Sequence, residues 1–169
     1  MKTQFLAPLC KKLVHPARTA VAAALSLLAA RLLGLPEAFW APISTMIVVQ
    51  TTLEAALTVS WQRLVGTALG CAAGALLSTR FHPGVLVLAL GLFGIGVLCA
   101  AARLERAAYR FAGITLTVVL FAVASEPRWT IAIHRFCEVS VGILVGVIVI
   151  AVCPDPAVGE GSGAGKGRQ

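Results

Sequence analysis

The sequence predicts an all-α membrane protein, built from six transmembrane helices arranged as two inverted three-helix repeats. Composition is the first reason. Of 169 residues, 59% are hydrophobic and 12% charged, with a mean hydropathy of +0.91. That is about half the charge of a soluble domain, and a soluble fold of this size cannot hide so much apolar surface. The second reason is layout: apolar runs alternate with short turns rich in glycine, proline and charge. The third is a pattern that recurs 72 residues later. Arg63, Gly66, Gly70 and Gly74 share one helical stripe, and Arg135, Glu138, Gly142 and Gly146 repeat their spacing. The same shift maps Arg31 to Arg103, Phe39 to Phe111, Thr45 to Thr117 and Glu54 to Glu126, with no insertion. A unit this long suits a duplicated multi-helix block.

Taken in order, residues 3–15 put Phe5, Leu6, Leu9 and Leu13 opposite Lys11 and Lys12. This fits either a short helix lying in the interface and ending near Pro16 or a frayed basic tail, in a cytoplasmic segment over 1–16. The six-helix domain follows over 17–153, with its repeats at about 17–80 and 84–153. Its first helix, Ala17 to Leu35, is alanine-rich and stops at Gly34-Leu35-Pro36, because proline disfavours helix just before it. Glu37 then sits in a very short turn.

The second crossing is Phe39 to Thr51, with Phe39 and Trp40 at the interface. The third, Ala55 to Thr79, places Arg63 about 12 Å along its axis at 1.5 Å per residue. The fourth is Val85 to Ala102, the fifth Phe111 to Ala124, and the sixth Thr130 to Val152. Glu54 and Glu126 cap or precede helices, where a carboxylate meets the positive end of the dipole. Beyond Cys153, residues 154–169 turn to glycine, serine and charge and read as a disordered cytoplasmic tail.

Six crossings put both termini on one side. Outside the third and sixth helices, that side carries Lys2, Lys11, Lys12, Arg18, Arg103, Arg106, Arg110, Lys166 and Arg168, against Arg31, Arg80 and Arg128 opposite. Both termini are therefore expected in the cytoplasm. Three crossings per repeat is an odd number, so the halves must run in opposite directions, as in many secondary transporters.

Several function classes fall away. The net charge of +7 comes from residues standing singly between apolar runs, which orients helices and does not bind nucleic acid. Cys10, Cys71, Cys99, Cys137 and Cys153 are scattered and make no metal cluster with His15, His82 or His134. No HExxH or GxSxG pattern occurs, so the chain reads as a non-enzyme with no cofactor. Lys2 is followed by an apolar stretch that Pro8, Lys11 and Lys12 interrupt, unlike a cleaved signal.

The charged positions carry the functional reading. An arginine at a helix centre costs about 2.5–3.5 kcal/mol to insert and usually faces a bundle interior or cavity. Arg63 and Arg135 thus become candidates for one path that draws an anionic solute from each side. Against this stands snorkelling, or a plain pairing of Arg135 with Glu138 one turn on. Trp40, Ser44, Thr45 and Thr117 are candidate walls for an aromatic solute, or else interface anchors and helix-to-helix hydrogen bonds. Glu138 is a candidate proton carrier. Gly66, Gly70, Gly74, Gly142 and Gly146 let helices touch backbone to backbone.

A resemblance sharpens this. The run Phe39-Trp40-Ala41-Pro42-Ile43-Ser44-Thr45-Met46-Ile47-Val48-Val49-Gln50, followed by Arg63-Leu64-Val65-Gly66-Thr67-Ala68-Leu69-Gly70, resembles the fusaric acid resistance and aromatic acid exporter family. Tyr109 to Thr115 and the helix from Arg135 to Gly146 continue the likeness. The resemblance implies a multi-pass protein of the bacterial inner membrane that exports aromatic or other organic acids. The six-helix part is also similar to the module of aluminium-activated malate channels, which makes Arg63 and Arg135 pathway residues. Many relatives add a large cytoplasmic domain or a second six-helix block. This chain is therefore expected to pair as a homodimer or with a separate membrane partner. Two readings stay open: a transporter of small organic anions, which needs a hydrated path, and a non-transporting subunit packed on a larger partner, which needs a dry bundle.

Overall fold

The computed structural model describes residues 3–49, 52–122 and 127–153, with side chains from residue 15 onward. These residues form six helices and no strand: α1 Thr3–Leu32, α2 Trp40–Val48, α3 Leu53–Arg80, α4 Val85–Ala101, α5 Arg106–Phe121 and α6 Arg128–Val152. The expectations for Gln50, Thr51, Glu126 and the 154–169 tail fall outside the described residues, as do the side chains of the amphipathic stretch 3–14.

Local chemistry sets most boundaries. α1 runs straight through Pro16 instead of ending there. An interior proline removes one backbone donor and bends the axis, but the alanine-rich stretch that follows propagates helix strongly. The end of α1 is a Schellman turn: Leu35 N–H donates to the Ala30 carbonyl at 3.1 Å and Gly34 N–H to Arg31 at 3.0 Å. Gly34 sits at φ +68°, where a side chain would be strained. Thr52 caps α3, its hydroxyl accepting from Ala55 N–H at 3.2 Å, with Glu54 in the first turn. α5 begins at Arg106, before the expected Phe111, so Arg106 and Arg110 are helical. Glu105 stands at its N-cap without capping it, because its carboxylate accepts from Gln62 Nε2 instead.

α3 and α6 form the centre. Late α3 packs on early α6 through Cys71, Ala75, Ala132 and Phe136, and early α3 on late α6 through Ala56, Leu64, Ile143 and Ile150. The two are therefore antiparallel. α5 lies along α3 and α2 along α6, while α1 covers α2 and α6 and α4 covers α5 and α3. Glycine makes both lateral seams. A Cβ added to Gly70 would collide with the Ala112 carbonyl and stand 2.7 Å from Thr115 Cβ. One added to Gly142 would collide with the Ala41 carbonyl and stand 2.6 Å from Ser44 Cβ. Gly66, Gly70 and Gly74 meet Ala108, Ala112 and Leu116 in step, so α3 and α5 run parallel. Gly142 and Gly146 meet Ala41 and Thr45 in the same sense.

The register corrects one detail of the 72-residue offset. It holds between α3 and α6, but the equivalent contacts on α2 and α5 lie 71 apart: Ala41 answers Ala112, Ser44 answers Thr115, Val48 answers Val119. One residue is about 100° of helix rotation, so Thr45 and Thr117 do not occupy equivalent positions.

Of the described helices, only Arg128–Val152 is both long and apolar enough to cross a membrane by length and composition; Val85–Ala101 is apolar but shorter. α2, at nine residues, falls well short of the roughly 20 a full crossing takes. α3 has the length, with 28 residues, but carries Glu54, Gln62, Arg63 and Arg80. Burial explains the mismatch. Gln62, Arg63, Thr67, Thr45, Arg135 and Glu138 all point inward, while Leu57, Trp61, Leu76, Leu86, Phe93, Ile133 and Leu144 point outward. A hydropathy average cannot see that difference. An apolar exterior around a polar interior suits a lipid surround.

Candidate functional site

Neither arginine reaches the outer wall. Arg63 is 6% exposed and Arg135 4%, which excludes snorkelling for both. Each comes from the glycine-lined face of a central helix, and each guanidinium lies over an aromatic ring of a flanking helix. Arg63 stands 5.0 Å from the centre of Phe111, and Arg135 4.1 Å from the centre of Trp40. Phe111 and Trp40 are again 71 residues apart, so the stacking is one arrangement built twice.

The polar shells differ. Arg135 donates to Glu37 Oε2 at 2.6 Å and to Glu138 Oε2 at 3.3 Å. Glu138 is 1% exposed, and its other oxygen accepts from Glu37 N–H at 2.9 Å. Trp40 Nε1 also donates to Glu37 Oε2, at 3.0 Å. Arg63 has no carboxylate within ion-pair reach among the described residues. It donates to Ser44 Oγ at 3.0 Å, a hydroxyl that itself donates to the Trp40 carbonyl. Among the described residues the Nε of both Arg63 and Arg135 is buried without a hydrogen-bond partner, as is the Ser60 hydroxyl.

Both arginines line one inner cavity with Trp40, Thr67, Phe111 and Thr115. It leaves about 10 Å³ free, at or below the space one water needs. The space between the arginines is closed in this structure. A larger cavity of about 460 Å³ opens at the α4–α5 turn, lined by Trp61, Gln62, Arg103 and Glu105 among others. It shares no lining residue with the inner one.

The structure thus brings together Arg63, Arg135, Trp40 and Glu138 from the sequence-derived site. Thr45 and Thr117 lie elsewhere. The Thr45 hydroxyl donates to the Gly142 carbonyl at 2.8 Å across the α2–α6 seam. The Thr117 hydroxyl turns back to Gly113 within its own helix at 2.8 Å, and Thr115 takes the place on the cavity wall. The one-residue shift between α2 and α5 is the reason. Sequence reasoning missed Glu37 altogether and gave Phe111 and Thr67 no role. One signal for an acidic partner was present: Glu138 stands where the first repeat has Gly66.

The model of the family described as fusaric acid resistance protein-like matches residues 23–149. The chain belongs to that family. Members of the curated set carry the likeness further. An uncharacterized transporter, YdhK, of Escherichia coli strain K12 is 32% identical over 146 residues, covering 81% of this chain and 22% of the relative. Its namesake from Salmonella typhimurium is 29% identical over 151 residues, covering 84% and 22%. This family member therefore spans about a fifth of the length of the curated relatives it matches. No solved structure matches it. The matched region holds both arginines, both stacked rings and every seam glycine.

Proposed function

We propose that this chain is a transmembrane module for transport of small organic anions, in the direction of efflux, through a path on which Arg63 and Arg135 act in turn. The observation that carries this is Arg63: a buried guanidinium without a carboxylate among the described residues. Desolvating a cation is expensive unless an anion accompanies it, and intramembrane arginines mark ion and substrate paths. A transient anion satisfies that need. The transporter names of the relatives support membrane transport by the whole protein. The doubled stacking and doubled glycine seams support an inverted three-helix repeat with its site between the halves.

In this reading all six helices lie within the bilayer of a bacterial inner membrane, with both termini cytoplasmic. The short α2 is tolerated because protein surrounds it. A homodimer or a separate membrane partner completes the assembly. No bond-making chemistry is assigned to the site.

The test is flux in liposomes carrying the full chain, with 4-hydroxybenzoate, malate and a quaternary ammonium as probes, with and without a pH gradient. Flux of either anion but not of the cation is expected. The shut inner cavity favours a second reading, a non-transporting scaffold that packs on a larger partner. Absence of flux for every probe would select it.

A further inference from the structure

We infer that Trp40 and Arg135 form a seat for the carboxylate of a small aromatic monocarboxylate, and that the Glu37 side chain occupies this seat until the ligand displaces it. The inference rests on the organic-anion reading above, takes the aromatic acid that the family resemblance already implies, and adds the residues of a second site and their resident occupant.

Two donors from different helices, Arg135 Nη2 at 2.6 Å and Trp40 Nε1 at 3.0 Å, converge on one oxygen of Glu37. Convergent charged and neutral N–H donors are how proteins recognise a carboxylate. The two glutamates around Arg135 are not equivalent. Glu138 is locked: its side chain is 1% exposed, and one oxygen is held by a backbone N–H. The Glu37 side chain is 47% exposed and sits between α1 and α2, where no helical ladder fixes it. Rotating it outward returns its carboxylate to water and leaves its N–H on Glu138, because that bond is made by the backbone. A ligand carboxylate entering as Glu37 leaves keeps the local charge unchanged. Exchange therefore avoids the desolvation penalty of stranding Arg135 with one fewer anion.

The surroundings select the body of the ligand. Phe39 is half exposed beside the seat, its ring 5.5 Å from that of Trp40. A flat apolar group attached to the carboxylate has a face to lie against. Among the described residues the first repeat has no such occupant: Arg63 and Phe111 meet no carboxylate.

The test uses the full chain in lipid nanodiscs, with Trp61→Phe and Trp129→Phe leaving Trp40 as the sole tryptophan. Benzoate is titrated while Trp40 emission is followed. Glu37→Gln is expected to lower the benzoate midpoint by about tenfold, the scale of one exposed charge-assisted hydrogen bond. The response should vanish when Arg135→Gln is combined with Glu138→Gln, a pair that strands no buried charge, since the remaining Glu37 carboxylate is half exposed. Should Glu37→Gln reduce helical circular dichroism, Glu37→Asp retracts the carboxylate by one methylene and should lower the midpoint about threefold. An unchanged midpoint, a response that survives loss of Arg135, or no response at all would overturn the seat. Liposome flux separates this from the transport reading. Glu37-dependent binding without flux removes transport and keeps the seat; flux with Glu37-independent binding does the reverse.

Discussion

Arg63 and Arg135 occupy matching places in the two halves, and the contrast between them is instructive. Both are buried, both lie over an aromatic ring, and both line the same closed cavity. Arg135 is compensated twice, by Glu37 and Glu138. Arg63 has a serine and a ring. One difference accounts for part of this: the position three residues on is Glu138 after Arg135 and Gly66 after Arg63. The glycine draws α5 against α3 and supplies no charge, whereas the glutamate holds the guanidinium in place. One arginine is thus held by two carboxylates; the other, among the described residues, is held by a hydroxyl and a ring. The same stacking geometry occurs twice, and differences at two positions, Glu37 against Ala108 and Glu138 against Gly66, set the two arginines apart.

The largest expected consequence is in stability. Arg135→Gln strands two carboxylates, one of them fully buried, and should destabilise the protein by about 3–5 kcal/mol. Arg63→Gln removes a buried cation that has no carboxylate among the described residues and should stay within about 1 kcal/mol of the parent, because the lost stacking and the relieved desolvation oppose each other. Unfolding of both variants in detergent micelles checks the pair; equal losses would erase the proposed contrast.

The seams come next. Gly70→Ala and Gly142→Ala each force a methyl into a carbonyl on the facing helix and should cost about 1–3 kcal/mol by overpacking. Similar losses at both would sharpen the likeness of the two halves. Phe111→Leu takes the ring from under Arg63, an effect of about 0.5–2 kcal/mol in the same unfolding assay. The smallest effect belongs to Thr117→Val, within about 0.5 kcal/mol, since its hydroxyl only returns to its own helix. Thr115→Val, on the cavity wall, should reduce anion flux where Thr117→Val does not.

Much of this was legible in the sequence. Six helices, their order, the glycine stripes and the paired arginines all follow from apolar runs and spacing. What the spacing could not reveal was the slip of one residue between α2 and α5. The 72-residue offset fits α3 and α6 so well that it carried Thr45 and Thr117 along with it. Helix α2 is also shorter than its apolar run, because Val49 turns extended after Val48 although its composition stays apolar. Glu37 was invisible for a different reason. Its role depends on a turn bringing it to Arg135, 98 residues away along the chain, and no local pattern encodes that meeting. Pro16 shows the reverse case: a strong local signal for a helix end, overridden by the helix-forming residues after it.

The central claim is that Arg63 is buried to meet a mobile anion and not to hold the fold. The most direct measurement pairs 4-hydroxybenzoate flux with unfolding for Arg63→Gln in the same liposome preparation. At least a tenfold loss of flux is expected, equal to about 1.4 kcal/mol of lost stabilisation, with folding stability retained. Undiminished flux, or a loss of flux matched by a loss of stability as large as that of Arg135→Gln, would contradict it.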